Sequence, residues 1–195
     1  MNIPVNIFRA VASAMSKDLT RYVLNGIEVV PKKDGVVLCA TDGYILIFAL
    51  IEGEHNFKDP FIIPAHLVKY IRLNTALAIY DAGTSVCLDT GKTEFKSVKV
   101  DGNFPAWRLM MKPKSELVPS MPTGLGWQVM ETIIKAQVAL GVPKGHRGIH
   151  QVFGEQGSPA GVRYMQLGDN IVTCFMPTRK AAEDAGSFNW PEWVG

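Results

Sequence analysis

Three stretches of the chain carry apolar residues at helical spacing, and each gives way to short β-type runs broken by turn residues. In residues 4–16, Ile7, Phe8, Val11 and Met15 share one face, and Pro4 suits the start of a helix. Residues 64–72 put Leu67, Val68 and Ile71 inward with Lys69 and Arg72 outward. Residues 126–140 set Trp127, Met130, Ile133, Ile134 and Val138 against Gln128, Glu131, Lys135 and Gln137. The three starts lie about sixty residues apart, which predicts one structural unit used repeatedly.

The strands follow the same rhythm. Runs at 21–30, 35–41 and 44–51 are separated by Asp34-Gly35 and Asp42-Gly43, pairs that favour tight turns between antiparallel strands. After the second helix come runs at 76–81, 85–89 and 93–100, and after the third, runs at 148–153, 162–167 and 171–176. One helix and three strands cannot cover both faces of a small sheet, so two units are expected to pair into an α+β domain with helices packed on one face of antiparallel meanders. That predicts a complete domain over residues 1–115, a linker at 116–124 with Pro119, Pro122 and Gly124, and a half domain over 125–180. Residues 181–195 lose the periodicity and end as a tail with Phe188, Trp190 and Trp193.

Composition narrows the class. No apolar run approaches the roughly 18 residues of a membrane span, and no secretion signal is visible, so a cytoplasmic protein is expected. Cys39, Cys87 and Cys174 are isolated among apolar or β-branched neighbours, as buried free thiols of a reducing compartment are. A formal charge of +2 is too small to make the whole surface attract nucleic acid, so any contact with DNA must come from local clusters.

Catalytic patterns are missing. The chain has no His-Glu-x-x-His, Cys-x-x-Cys, Walker-type or Gly-x-Ser-x-Gly element, so no enzyme and no cofactor are expected. His55, His66, His146 and His150 have no cysteine beside them, which argues against a metal site. Residues 141–148 form a glycine-rich basic loop that reads either as a connector or as a phosphate contact. Lys69, Arg72, Lys135, Lys144 and Arg147 would line one surface if the repeated helices lie side by side, touching DNA phosphates without reading bases; the alternative is an ordinary solvated helix face.

Arg21-Tyr-Val-Leu-Asn-Gly26, Ala40-Thr-Asp-Gly43 with Leu46, and Val100-Asp-Gly-Asn-Phe-Pro105 followed by Arg108 and Pro113 resemble, in order and spacing, the middle domain of the bacterial replicative sliding clamp, the β subunit of DNA polymerase III. Phe175-Met-Pro-Thr-Arg179 is similar to the Met-Pro-x-Arg ending of that clamp's last domain, so the resemblance covers about residues 3–180. It implies a clamp-like fold without a catalytic centre, with sheets outside and helices lining a bore for duplex DNA. It also implies a hydrophobic pocket that takes short linear motifs from DNA polymerase, the clamp loader and other replication proteins. Carried over by position, Leu24, Thr41, Gly43, Tyr44, Ile45 and Leu46 form one wall, Pro113 the hinge side, and Cys174, Met176, Pro177 and Thr178 the other; the alternative is that these are simply core. Arg21, Asn25, Asp42, Asp101, Phe104 and Pro105 read as fold-defining, with Asn25-Gly26 and Asp42-Gly43 as turns.

Two departures shape the expectation. Relatives have three domains and close a ring from two chains, whereas nothing here resembles their first domain or the first unit of their last. Tyr44-Ile45 stands where many relatives have His-Arg, and Thr178 where many have Met. The leading reading is a processivity or recruitment factor of a phage or mobile element that could self-associate; the second is a clamp-like adaptor that binds replication proteins without encircling DNA. Phe188, Trp190 and Trp193 on the tail could fill its own or a neighbour's pocket.

Overall fold

In the computed structural model, Pro4 stands in extended conformation just before α1 (Val5–Ala12), and its carbonyl accepts the first helical bond from Phe8 N–H at 3.0 Å. The structure describes residues 1–72, 75–120, 125–155 and 161–177. Beyond Ala12 the chain tightens through i→i+3 bonds as far as Met15, so the helical pattern over 4–16 ends as turns. The second stretch does the same: α2 (Ala65–Val68) is a single turn, continued by Tyr70 and Ile71 N–H donating to the carbonyls of Leu67 and Val68. The third helix, α3 (Trp127–Ala139), is a full one.

Among the described residues the strands form two antiparallel sheets. The larger has the order β4 (Phe61–Pro64), β1 (Gly26–Lys32), β2 (Gly35–Thr41), β3 (Ile45–Glu52), β11 (Ile171–Phe175), β10 (Arg163–Gly168), β9 (Val152–Glu155) and β8 (Leu117–Pro119). The smaller is β5 (Ala78–Ala82), β6 (Ser85–Asp89) and β7 (Glu94–Val98). The predicted meanders are present, and two strands the periodicity did not show join them. β4 follows a polar loop directly, and β8 lies inside the stretch read as linker, pairing Val118 with Gly154.

The first and third units are joined by their edges. β3 pairs with β11 from Ile45↔Phe175 to Ala49↔Ile171, so one sheet runs unbroken through both. The β11 edge of the third unit's sheet is thus covered within the chain, which removes one exposed edge. Alternation along the strands then sorts side chains to two faces. Val36, Leu38, Ala40, Ile45, Ile47 and Ala49 belong to the main core with α1, α2 and α3, to which Ile79, Val86 and Leu88 of the small sheet also contribute. Val37, Cys39, Leu46, Tyr164 and Cys174 point the other way into a second apolar cluster with Trp107.

Two expectations are corrected here. The buried stripe of α3 is Val129, Thr132, Ile133, Ala136 and Gln137, while Trp127 is 77% exposed and Val138 is exposed. The helix is turned by about one residue position, roughly 100°, from the face with the bulkiest apolar residues. α3 packs on α1, where small Thr132 and Ala136 allow close approach, and Gln137 is buried because its amide bonds both backbone groups of Gly148, at 2.7 and 2.8 Å. Gly26 is likewise no turn residue. It opens β1, where a Cβ would lie 2.4 Å from the Ile63 carbonyl oxygen, and the side chain of Asn25 instead bonds back to the carbonyls of Asp18 and Arg21.

Candidate functional site

The turn between β2 and β3 is held by its own side chains. Thr41 Oγ1 donates to the carbonyl of Ile45 at 2.7 Å and accepts from Gly43 N–H at 3.0 Å, while Asp42 Oδ1 accepts from the backbone of Tyr44 and Ile45. Gly43 has φ +95°, a backbone conformation that favours glycine, and a Cβ there would sit 2.9 Å from Nη1 at the movable end of Arg21. That contact brings the turn beside the 3-10 segment Tyr22–Leu24, in which Leu24 is buried. The turn leaves Tyr44 60% exposed, and the Tyr44 carbonyl accepts the N–H of Met176, itself 45% exposed, at 3.2 Å.

From this point a row of directly paired residues crosses the outer face: Thr41, Leu46, Cys174, Tyr164 and Phe153. The structure therefore brings together Thr41, Leu46 and Cys174, with Tyr44 and Met176 at the end of the seam. Ile45 is the exception. Being one residue from Leu46, it points to the opposite face and packs with the helices in the main core, so it does not line this wall. Pro113 and Gly43 are exposed and Pro177 is buried. Thr178, Arg179 and the aromatic tail lie outside the described residues.

The connector that follows the second unit covers the seam. Trp107 is buried, stacks on Phe48 with ring centroids 5.2 Å apart, has the Arg108 guanidinium carbon 4.6 Å from its ring centroid, and donates its Nε1–H to Glu28 Oε2 at 2.8 Å. Burial pushes the Glu28 carboxyl above its ordinary value, opposed by the Trp107 hydrogen bond and the charge of Arg108. Tyr164 donates its hydroxyl to the Met110 carbonyl at 2.5 Å, and Cys174 Sγ–H donates to Met111 Sδ at 4.0 Å. Of residues 107–111, the sequence pattern marks Arg108, as part of the family resemblance, and not Trp107, Met110 or Met111. The available signal was Glu28, a lone carboxylate in the apolar run Ile27–Val30, which has to find a partner once buried.

On the helix side, Lys69 and Lys135 meet Arg9 around a groove of about 520 Å³ between α1, α2 and α3. Arg9 lies on the apolar-patterned first helix and was missed for that reason. Lys135 is ion-paired to Glu131 at 2.8 Å, and this pair holds the Glu131 carboxyl below its ordinary value. Arg72 is exposed beyond α2, whereas Lys144 and Arg147 sit in the loop past the end of α3, where Arg147 Nε donates to the Val142 carbonyl at 2.9 Å. Of the five cations, only Lys69 and Lys135 share this groove.

The three cysteines are buried and unbridged, and burial pushes the Cys39 thiol up and the Cys174 thiol up to about 12, which suits packing and not nucleophilic chemistry. Among the described residues no group of three His, Cys, Asp or Glu side chains is arranged to hold a metal ion, and no helix is long and apolar enough to cross a membrane.

An edge-joined outer sheet with helices packed on its inner face is the architecture of a DNA clamp segment. Residues 4–106, just over half of the chain, match the family described as DNA polymerase III beta subunit, central domain. The chain belongs to that family. Solved structures agree on the fold: the sliding clamp of Bacillus subtilis has 15% identity, covers 92% of this chain and 64% of its own, and superposes with a TM-score of 0.63. The beta subunit of Thermotoga maritima shows 13% identity over 92% of this chain and 65% of its own, at 0.62. The Bartonella birtlesii clamp, solved bound to griselimycin, shows 17% over 92% and 65%, also at 0.62. This chain thus spans just under two thirds of the length of these clamps. No curated protein matches the sequence.

Proposed function

We propose that this chain is a non-enzymatic docking and processivity factor of DNA replication, which binds short linear motifs of polymerase, clamp-loader or other replication proteins at the outer seam between its first and third units. The observation that carries the reading is the exposed pair Tyr44 and Met176 at the end of the Thr41–Leu46–Cys174 row, where the first and third units join edge to edge in one sheet. Exposed apolar side chains beside a rigid, paired backbone offer an adaptable contact for a partner's aliphatic or aromatic residues. On this reading residues 1–115 act as one domain and 125–180 as a half domain joined to it through 116–124. Arg9 and Lys69 would meet duplex phosphates from the helix side without base readout.

A second reading, an adaptor that binds the same proteins without encircling DNA, is favoured by the weak cationic face: Lys135 is neutralised by Glu131, and the net charge is only +2. One paired experiment separates the two. Binding of a fluorescein-labelled polymerase clamp-binding peptide is measured alongside retention on nicked circular DNA before and after linearisation. Peptide binding with retention lost on linearisation supports a ring-forming clamp, and peptide binding without retention supports the adaptor. Absence of peptide binding by wild type and by a Met111→Ala variant alike would remove both.

A further inference from the structure

The floor of the candidate seam is closed by the chain itself. Leu46 and Cys174, which sit side by side in the cross-strand row, are only 2% and 3% exposed, and the side chain packed over Cys174 is Met111, its sulfur 4.0 Å from the thiol. Met111 belongs to residues 107–111, held down at two points by groups from different units: Glu28 of β1 receives Trp107 Nε1–H, and Tyr164 of β10 donates to the Met110 carbonyl. The backbone N–H of Met111 donates to the Arg108 carbonyl at 3.1 Å, whereas its side chain is held, among the described residues, by the weak thiol bond. Its flexible thioether is the kind of side chain that fills irregular gaps and repacks at low cost.

Met111 also has somewhere to go. On its other side it lines an open groove of about 820 Å³ on the outer sheet face, together with Phe48, Leu50, Val172 and Trp107. Rotation about its own side-chain bonds would carry the thioether from Cys174 toward these apolar walls, uncovering Cys174 without unfolding a strand.

We infer that Met111 is an internal occupant of the peptide site, a thioether plug that an incoming aliphatic or aromatic side chain must displace toward Phe48 and Val172. The inference rests on the peptide-docking reading above and adds to it a closed ground state and a gate. A closed site lowers apparent affinity by the fraction of time it stands open, so removing the plug raises affinity without adding a contact.

The buried thiols supply a readout that needs no peptide. Alkylation by N-ethylmaleimide, mapped by mass spectrometry, is compared for wild type, Met111→Ala and Tyr164→Phe, with Cys39 as an internal reference for general loosening. The expected result is labelling of Cys174 about tenfold faster in Met111→Ala, and faster in Tyr164→Phe, with Cys39 unchanged, and a similar gain in affinity of Met111→Ala for the labelled polymerase peptide. Unchanged Cys174 labelling, or acceleration of Cys39 and Cys174 together in both variants, overturns the plug. Selective exposure of Cys174 with no peptide bound by any variant overturns the docking reading and the inferred occupant role with it, while equal peptide affinity of wild type and Met111→Ala overturns the gate alone.

Discussion

The backbone N–H of Met176 donates to the carbonyl of Tyr44 at 3.2 Å, one residue beyond the last paired residues of β3 and β11. Two exposed side chains from distant parts of the chain are thereby fixed side by side on backbone that neither can leave independently. If both contact one partner residue, their contributions are coupled. Met176→Ala and Tyr44→Ala are each expected to weaken the polymerase peptide by about 1–2 kcal/mol. The double variant should lose less than the sum, by at least about 0.5 kcal/mol. Fluorescence anisotropy titrations of the four proteins check this; strict additivity would mean separate contacts.

Glu28 gives a pH dependence with a defined sign. Its carboxyl is buried and its affinity for the proton is raised above the ordinary value of 4.5, with Trp107 and Arg108 acting against that rise. The folded protein therefore holds this proton more tightly than the unfolded chain. Relative to Glu28→Gln, which keeps an acceptor oxygen for Trp107, wild-type stability is greatest below pH 4.5, falls as pH rises through the folded value, and then levels off. Urea unfolding of both proteins at a series of pH values measures the difference, and a flat difference would show that Glu28 does not titrate on folding.

Gln137 tests how the basic loop is held. Its amide satisfies both backbone groups of Gly148. Gln137→Ala leaves them without that partner and is expected to cost about 1–3 kcal/mol. Amide hydrogen exchange at Gly148 should accelerate in the variant while exchange in β2 stays as in wild type.

Arg9 and Lys69 face the same groove between the helices, while Lys135 is tied to Glu131. If this face meets duplex DNA, Arg9→Ala and Lys69→Ala should each reduce the slope of log affinity against log salt by about 0.9. Lys135→Ala should change it less. Titrations of duplex DNA at several salt concentrations decide this, and unchanged slopes in all three would remove the cationic face from the DNA reading.

Gly26→Ala tests a backbone approach that its place beside Asn25 disguised as a turn. With the Ile63 carbonyl 2.4 Å from the new Cβ, β1 and β4 must part, at an expected cost of about 1–3 kcal/mol in urea unfolding.

Local pattern and tertiary structure determined different things. The apolar periods of 3.6 and 2 located three helices and the central strands of three meanders, because a helix or strand that buries one face must repeat at its own period. The residues 40–43 and the ending 175–179 already resembled the family's pattern. Which elements meet, and which face they present, were decided elsewhere. The sewing of β3 to β11, seen also in Thr173 Oγ1 donating to the Leu46 carbonyl across 127 positions, leaves no trace in a local period because it depends on two distant edges meeting. The same pairing sent Ile45 inward and Leu46 outward, a choice that a shift of one residue would reverse. Gln137 and Glu28 are buried because partners from other segments satisfy them, while Trp127 is left outside because α3 turns the face of Val129, Ile133 and Ala136 to the core. Met111 carries no local signal in the sequence, and only the sheet beneath it turns that thioether into a cover for Cys174.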